Sequence, residues 1–302
     1  MNKPTSVRQI RLERRSPSYW RVTFDLPPLN IFGPLEVAKL ETIIKSIETD
    51  ERVKVVVFDS AIEGFFLTHY DFLAKLEETT SLPLGATGLQ PLPDMLARLS
   101  RAPVVSIASI RGRATGVGSE LALASDLRFA SREKAILSQW EVGAGLVPGG
   151  GPMARLPRLM GRGRALEVLL GADDINGDLA QVYGYVNRSL PDSELDWFVD
   201  ALAMRIASFD KQAIADTKAI GRHRQPAFRR GNQAGMGRVH VFLTASRHAS
   251  KNRQVDGAWL PQAGRCGNTS RLLRWPTRKS IARNKSYALL WRKHHRTTRR
   301  RS

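Results

Sequence analysis

Apolar and polar positions alternate in "VRQIRLER" and again in "YWRVTFDL", the period of two that marks strands, and "RSPS" between them supplies a turn. Downstream, Leu35, Val37, Leu40, Ile43, Ile44 and Ile47 recur at helical spacing after Pro34, which suits an early helical position. "VKVVVFDS" and "APVVSIASI" are continuous apolar runs, the mark of strands covered on both faces. "AIEGFFLTHY" reads as a loop, followed by a short helix that Asp71 caps. A Gly/Pro-broken linker around "SLPLGATG" leads to a helix ending at Ser100, and a further helix is predicted from about Gly116 to Ser125. "LRFAS", "KAILSQ" and "YGYVNRSL" are predicted strands. "GPMARLPRLMG", "GRALEVLLG", "PDSELDWFVDALAMRIASF" and "DKQAIADTKAIG" are predicted helices. Alternating strands and helices without a fixed repeat make this an α/β chain. The pattern loosens from Gly221. From about residue 255 no periodicity persists, so the domains expected are 1–254 and an atypical tail, 255–302.

Charge sharpens that division. The 302 residues carry a net charge of +19. Residues 1–220 sum to −1, and residues 221–302 to +20 with Asp256 as their one acid. The body is neutral and the basicity belongs to the tail. Phosphate neutralisation needs such clusters, but readers of nucleic acid pair them with a recognition helix or stacking aromatics in a fold. Nucleic acid is therefore not the expected partner. One cysteine, Cys266, excludes an internal disulfide and a multi-cysteine metal site. No apolar run reaches the ~18 residues of a membrane span, and the first sixteen residues show no apolar leader core. A cytoplasmic location without membrane attachment is the expectation.

The chemistry concentrates in three stretches. "GRATGVGSELALASD" has Gly112, Gly116 and Gly118 before a helix that carries Glu120. It is neither a dinucleotide turn, since Leu121 stands at the third glycine position, nor a P-loop, since no Lys-Ser or Lys-Thr follows. Glycines at a helix start still let backbone N–H groups approach a developing negative charge; packing of a tight turn is the simpler alternative. "SQWEVGAGLVPGGG" places Glu141 just before a second glycine turn. Two such glutamates could do paired acid/base work, or could be unrelated residues favoured by helix dipoles. The third stretch is "FFLTHYDF", where His69 could be a base, although a lone loop histidine is more often structural or simply exposed.

Taken in order, "FFLTHYDF", "GVGSELALASD" and "WEVGAGLVPGGG" resemble the enoyl-CoA hydratase/isomerase, or crotonase, family from about Val7 to Lys218, more faintly to Arg253. The resemblance implies a ββα-spiral fold with a C-terminal helical region, assembly as a trimer or hexamer, and an acyl-CoA thioester as substrate. Coenzyme A then belongs to the substrate, and no separate cofactor or metal is expected. It implies an oxyanion hole from the backbone N–H groups of Tyr70 and Val117, and catalysis by Glu120 and Glu141. Keeping both glutamates favours hydration of a 2,3 double bond; isomerisation, thioester hydrolysis, decarboxylation or non-catalytic acyl-CoA binding are the alternatives. Phe66, Thr68, His69, Asp71, Gly116, Gly118, Trp140 and Gly149 are the expected substrate neighbours. Three features depart from the family pattern: the bulky Thr68-His69-Tyr70 where small residues are usual, Val117 where a glycine is often found, and Trp140 where proline is common, placed to desolvate Glu141.

Overall fold

A computed structural model describes residues 9–71, 73–75, 78 and 82–222. Its elements are β1 (Gln9–Arg14), β2 (Tyr19–Asp25), α1 (Pro34–Thr49), β3 (Val55–Ser60), β4 (Phe65–Leu67), α2 (Pro91–Arg101), β5 (Val105–Ile110), β6 (Arg113–Thr115), α3 (Val117–Ala124), β7 (Leu127–Ser131), β8 (Ile136–Ser138) and a 3-10 turn (Glu141–Ala144). There follow α4 (Pro152–Met160), α5 (Arg162–Gly171), β9 (Ile175–Asn176), α6 (Gly177–Tyr183), β10 (Arg188–Leu190), α7 (Asp192–Ala207) and α8 (Lys211–Arg222). The expected boundary at 254/255 lies outside the described residues.

Two sheets share these strands. The larger runs β1-β2-β3-β5-β7-β10 and the smaller β4-β6-β8-β9. Within the larger sheet only β1 is antiparallel to its neighbour, and within the smaller only β9. The chain alternates between them: β3 then β4, β5 then β6, β7 then β8, with helical structure after each pair. That is the expected ββα spiral.

Both faces of the larger sheet are covered, which explains its continuous apolar strands. Val56, Phe58 and Ala108 join the core shared with α1, α2 and α3, while Val55, Val57, Ile107 and Phe129 pack beneath Leu195, Val199 and Ala203 of α7. On that second face Arg21 is buried, paired with Asp59 at 2.6 Å and Asp200 at 2.7 Å. A guanidinium taken from water requires such partners.

Three expectations need correction. "AIEGFFLTHY" is not all loop: Phe65–Leu67 forms β4, whose three residues are too few to show alternation. "YGYVNRSL" is not one strand, because Tyr183 closes α6 and only Arg188–Leu190 is extended. Asn176 caps α6 by accepting from the Leu179 N–H at 2.9 Å. Leu35 is 82% exposed, so the apolar stripe of α1 begins at Val37. The short helix after Asp71 falls largely outside the described residues, although the Asp71 carboxylate accepts from the Leu73 N–H at 2.9 Å. Among the described residues no helix is long and apolar enough to cross a membrane.

Candidate active site

The site forms where the ends of β4, β6 and β8 meet the start of α3. Beyond β4, Tyr70 pairs in parallel with Phe32. The Phe32 N–H donates to the His69 carbonyl at 3.1 Å, and the Asp71 N–H donates to the Phe32 carbonyl at 2.9 Å. Extended backbone alternates its polar groups, so the N–H of Tyr70 faces away from Phe32.

Beyond β6, Gly116 adopts φ +53°, ψ −119°, a conformation open to glycine, and turns the chain into α3. Val117 is the first helical residue, and an N–H at that position has no partner within its own helix. The next N–H, of Gly118, donates to the Thr68 carbonyl at 3.0 Å. This bond joins the two segments that carry the Tyr70 and Val117 amides.

Glu120 lies in the first turn of α3 and is 4% exposed. Its Oε1 accepts from the Gly150 N–H at 2.5 Å. Burial pushes its pKa up to about 7; the Gly150 bond and Arg155 oppose the rise and the nearby charge of Glu141 adds to it. Arg155 of α4 fastens the glycine turn, donating to the Gly150 carbonyl at 2.5 Å and to the Leu96 carbonyl at 3.2 Å. Glu141 opens the 3-10 turn after β8, half-buried, and burial raises its pKa too. Glu120 and Glu141 are thus brought together as a pair of carboxyls that resist ionisation.

The remaining residues divide by what they touch. His69 Nδ1 donates to the Tyr70 carbonyl at 2.8 Å, which puts the proton of a neutral ring on Nδ1. Its ring meets Trp140 edge-on at 5.7 Å, and Gly116 lies against both. Trp140 therefore packs on His69 and precedes the 3-10 turn.

Three of the expected substrate neighbours make other contacts within the chain. Phe66 is fully buried edge-on against Phe24 at 6.0 Å and belongs to the core. The Thr68 hydroxyl is spent on the Leu29 and Asn30 carbonyls, at 3.0 and 3.1 Å. Gly149 is exposed, with open space where a side chain would stand; it is the Gly150 N–H that reaches Glu120.

Gln139, Ser119 and Tyr185 were not visible as site residues in the sequence. All three are fully buried. Gln139 touches Ser119 at 2.7 Å on one side and both Glu141 carboxylate oxygens, at 3.1 and 3.2 Å, on the other. Ser119 in turn hydrogen-bonds Tyr185, whose phenol burial holds up at about 12. Among the described residues no group of three or more His, Cys, Asp or Glu side chains is arranged to hold a metal ion.

Comparison with known proteins follows the same lines. A family model described as enoyl-CoA hydratase/isomerase matches residues 14–252. Short-chain-enoyl-CoA hydratase of Clostridium acetobutylicum is 32% identical over 206 residues, covering 68% of this chain and 78% of its own. Enoyl-CoA hydratase domain-containing protein 2, mitochondrial, of Mus musculus is 34% identical over 165 residues, 55% of each chain. The chain thus spans about half the length of the mammalian relatives it matches. The crystal structure of enoyl-CoA hydratase from Bacillus anthracis superposes with a TM-score of 0.62 at 26% identity, covering 80% of this chain and 88% of that one.

Proposed function

The chain belongs to the enoyl-CoA hydratase/isomerase family, and we propose that within it the chain is a hydro-lyase adding water across the 2,3 double bond of a 2-enoyl-CoA thioester. The observation that carries this reading is the paired carboxyls, Glu120 and Glu141, both held toward their protonated forms by burial. Hydration needs one group to take a proton from water and another to give one to carbon. A pair of neighbouring carboxyls, one protonated and one ionised, supplies both.

In this reading the thioester carbonyl oxygen lies between the N–H groups of Tyr70 and Val117. Those amides stabilise the negative charge that collects on the oxygen, by about 3–4 kcal/mol per donor. Water sits between the two glutamates. Its oxygen bonds to C3 as its proton passes to the ionised carboxylate, and the π electrons move toward the thioester to give the enolate. The protonated carboxyl then delivers its proton to C2. One water is consumed, and the glutamates end with their protonation exchanged.

His69 and Trp140 form the wall beside Gly116 and so stand next to the bound thioester. The reaction as written requires no group beyond the coenzyme A of the substrate. By the same family likeness the chain is proposed to work as a homotrimer or hexamer.

A panel of acyl-CoA thioesters analysed by product mass tests the reading. A gain of one water by short 2-enoyl-CoA substrates is the expected result. An unchanged mass with a moved double bond, or release of coenzyme A, would assign the site to isomerisation or hydrolysis instead.

A further inference from the structure

The geometry points to Gln139, Ser119 and Tyr185 as a buried hydrogen-bond chain that positions the carboxylate of Glu141 for the reaction. The inference rests on the proposed hydratase reading for its catalytic consequence, and on geometry alone for the chain.

The four side chains bring together three parts of the fold. Tyr185 lies between α6 and β10, Ser119 is in the first turn of α3, Gln139 follows β8, and Glu141 opens the 3-10 turn. The direction of the chain follows from chemistry. With its amide oxygen toward Glu141, Gln139 would set one acceptor against a carboxylate. With its nitrogen there, it donates to both carboxylate oxygens at 3.1 and 3.2 Å, and its own oxygen accepts from the Ser119 hydroxyl at 2.7 Å. Ser119 has spent its one proton, so Tyr185 donates to it.

Core packing alone does not require this arrangement. Three fully buried polar side chains are costly unless each is satisfied, and here the satisfied chain ends on a half-buried carboxylate rather than on backbone. Contact with both oxygens fixes the plane of the carboxylate as well as its place. Ser119 also directly precedes Glu120, so one network sets the two glutamates relative to each other. An amide donor favours the ionised form of Glu141, against the burial that disfavours it. Among the described residues, the other titratable and charged groups around the site include Glu120 of α3, Arg155 of α4, which acts on Glu120 from behind Gly150, Arg128 of β7, which donates to the Tyr185 carbonyl at 2.8 Å, and His69 across Trp140.

The test uses the full chain carrying Gln139→Met, which keeps the volume and removes the amide. Ser119→Ala and Tyr185→Phe each delete one hydroxyl and serve if Gln139→Met fails to fold. Crotonyl-CoA hydration and a carboxyl-carbon NMR titration of Glu141 without substrate are the two readouts. Expected for Gln139→Met are a kcat about 100-fold lower with KM within about twofold, and a Glu141 titration moved upward by roughly one unit. The two hydroxyl deletions should change both in the same directions by less. Wild-type kcat together with an unmoved Glu141 titration in Gln139→Met, or in both hydroxyl deletions where that variant does not fold, would overturn the inference. If the unsubstituted chain hydrates nothing while the titration still moves, the hydratase reading fails and the positioning chain stands.

Discussion

The Gly118 N–H donates to the Thr68 carbonyl at 3.0 Å, so a single backbone bond ties the end of β4 to the first turn of α3. The approach is close enough that a Cβ at position 118 would collide with the Leu67 carbonyl oxygen. Backbone atoms on both sides leave no flexible side chain to yield. Gly118→Ala should therefore cost about 3 kcal/mol or more, lower the melting temperature by at least ~5 °C, and separate the two amides. Thermal denaturation beside a hydration assay checks both effects.

Gly150 predicts a different balance. A Cβ there would meet the carboxylate of Glu120, a side chain that can move aside. Gly150→Ala should leave the fold intact and displace the glutamate. Hydration should drop about 100-fold at nearly unchanged melting temperature, the expected response to a misplaced acid/base group.

The pKa of Glu120 connects catalysis to stability. Its folded value, about 7, lies above the ordinary 4.5, so the folded chain binds this proton more tightly than the unfolded one. Stability from that difference is complete below about pH 4.5 and is lost as pH rises to about 7. Above pH 7 the wild type carries a buried charge that Glu120→Gln does not, a difference of about 3 kcal/mol. Glu120→Gln should accordingly be inactive yet more stable than wild type at pH 8, with the gap closing toward pH 5. Urea unfolding at the two pH values measures it.

Asn30 holds the approach to Tyr70 from below. It is fully buried at φ +53°. Its side chain accepts from the Leu26 N–H at 2.8 Å and donates to Ser60 Oγ and the Phe66 carbonyl, both at 2.7 Å. Asn30→Ala loses these bonds and keeps the unfavourable φ, for an expected loss of about 3–5 kcal/mol. Asn30→Gly relieves only the backbone, so chemical denaturation should place it between Asn30→Ala and wild type.

The larger sheet was legible because its central strands are covered twice, and Val55 to Phe58 therefore read as an unbroken apolar run. Of the smaller sheet β8 was legible within "KAILSQ", but β4 and β6 were not, since they have three residues each and their identity depends on pairing with one another. Helix α6 was missed although Asn176 carried its capping signal, because "YGYV" reads more strongly as a strand. Of the site, Glu120 and Glu141 were recognisable beside their glycine turns. Three successive glycines gave no means of choosing Gly150 over Gly149, since the choice depends on which N–H meets Glu120 across 30 residues. Gln139 and Tyr185 were unreadable for the same reason. A buried amide and a surface amide look alike until Ser119 and Glu141 are brought to them.

The most direct test of the central claim is crotonyl-CoA hydration by the wild type, Glu120→Gln and Glu141→Gln, followed by product mass and by melting temperature. The account predicts that the wild type adds one water, that each variant loses at least ~100-fold in kcat, and that all three remain folded. Hydration left unchanged by both substitutions in folded protein would contradict it.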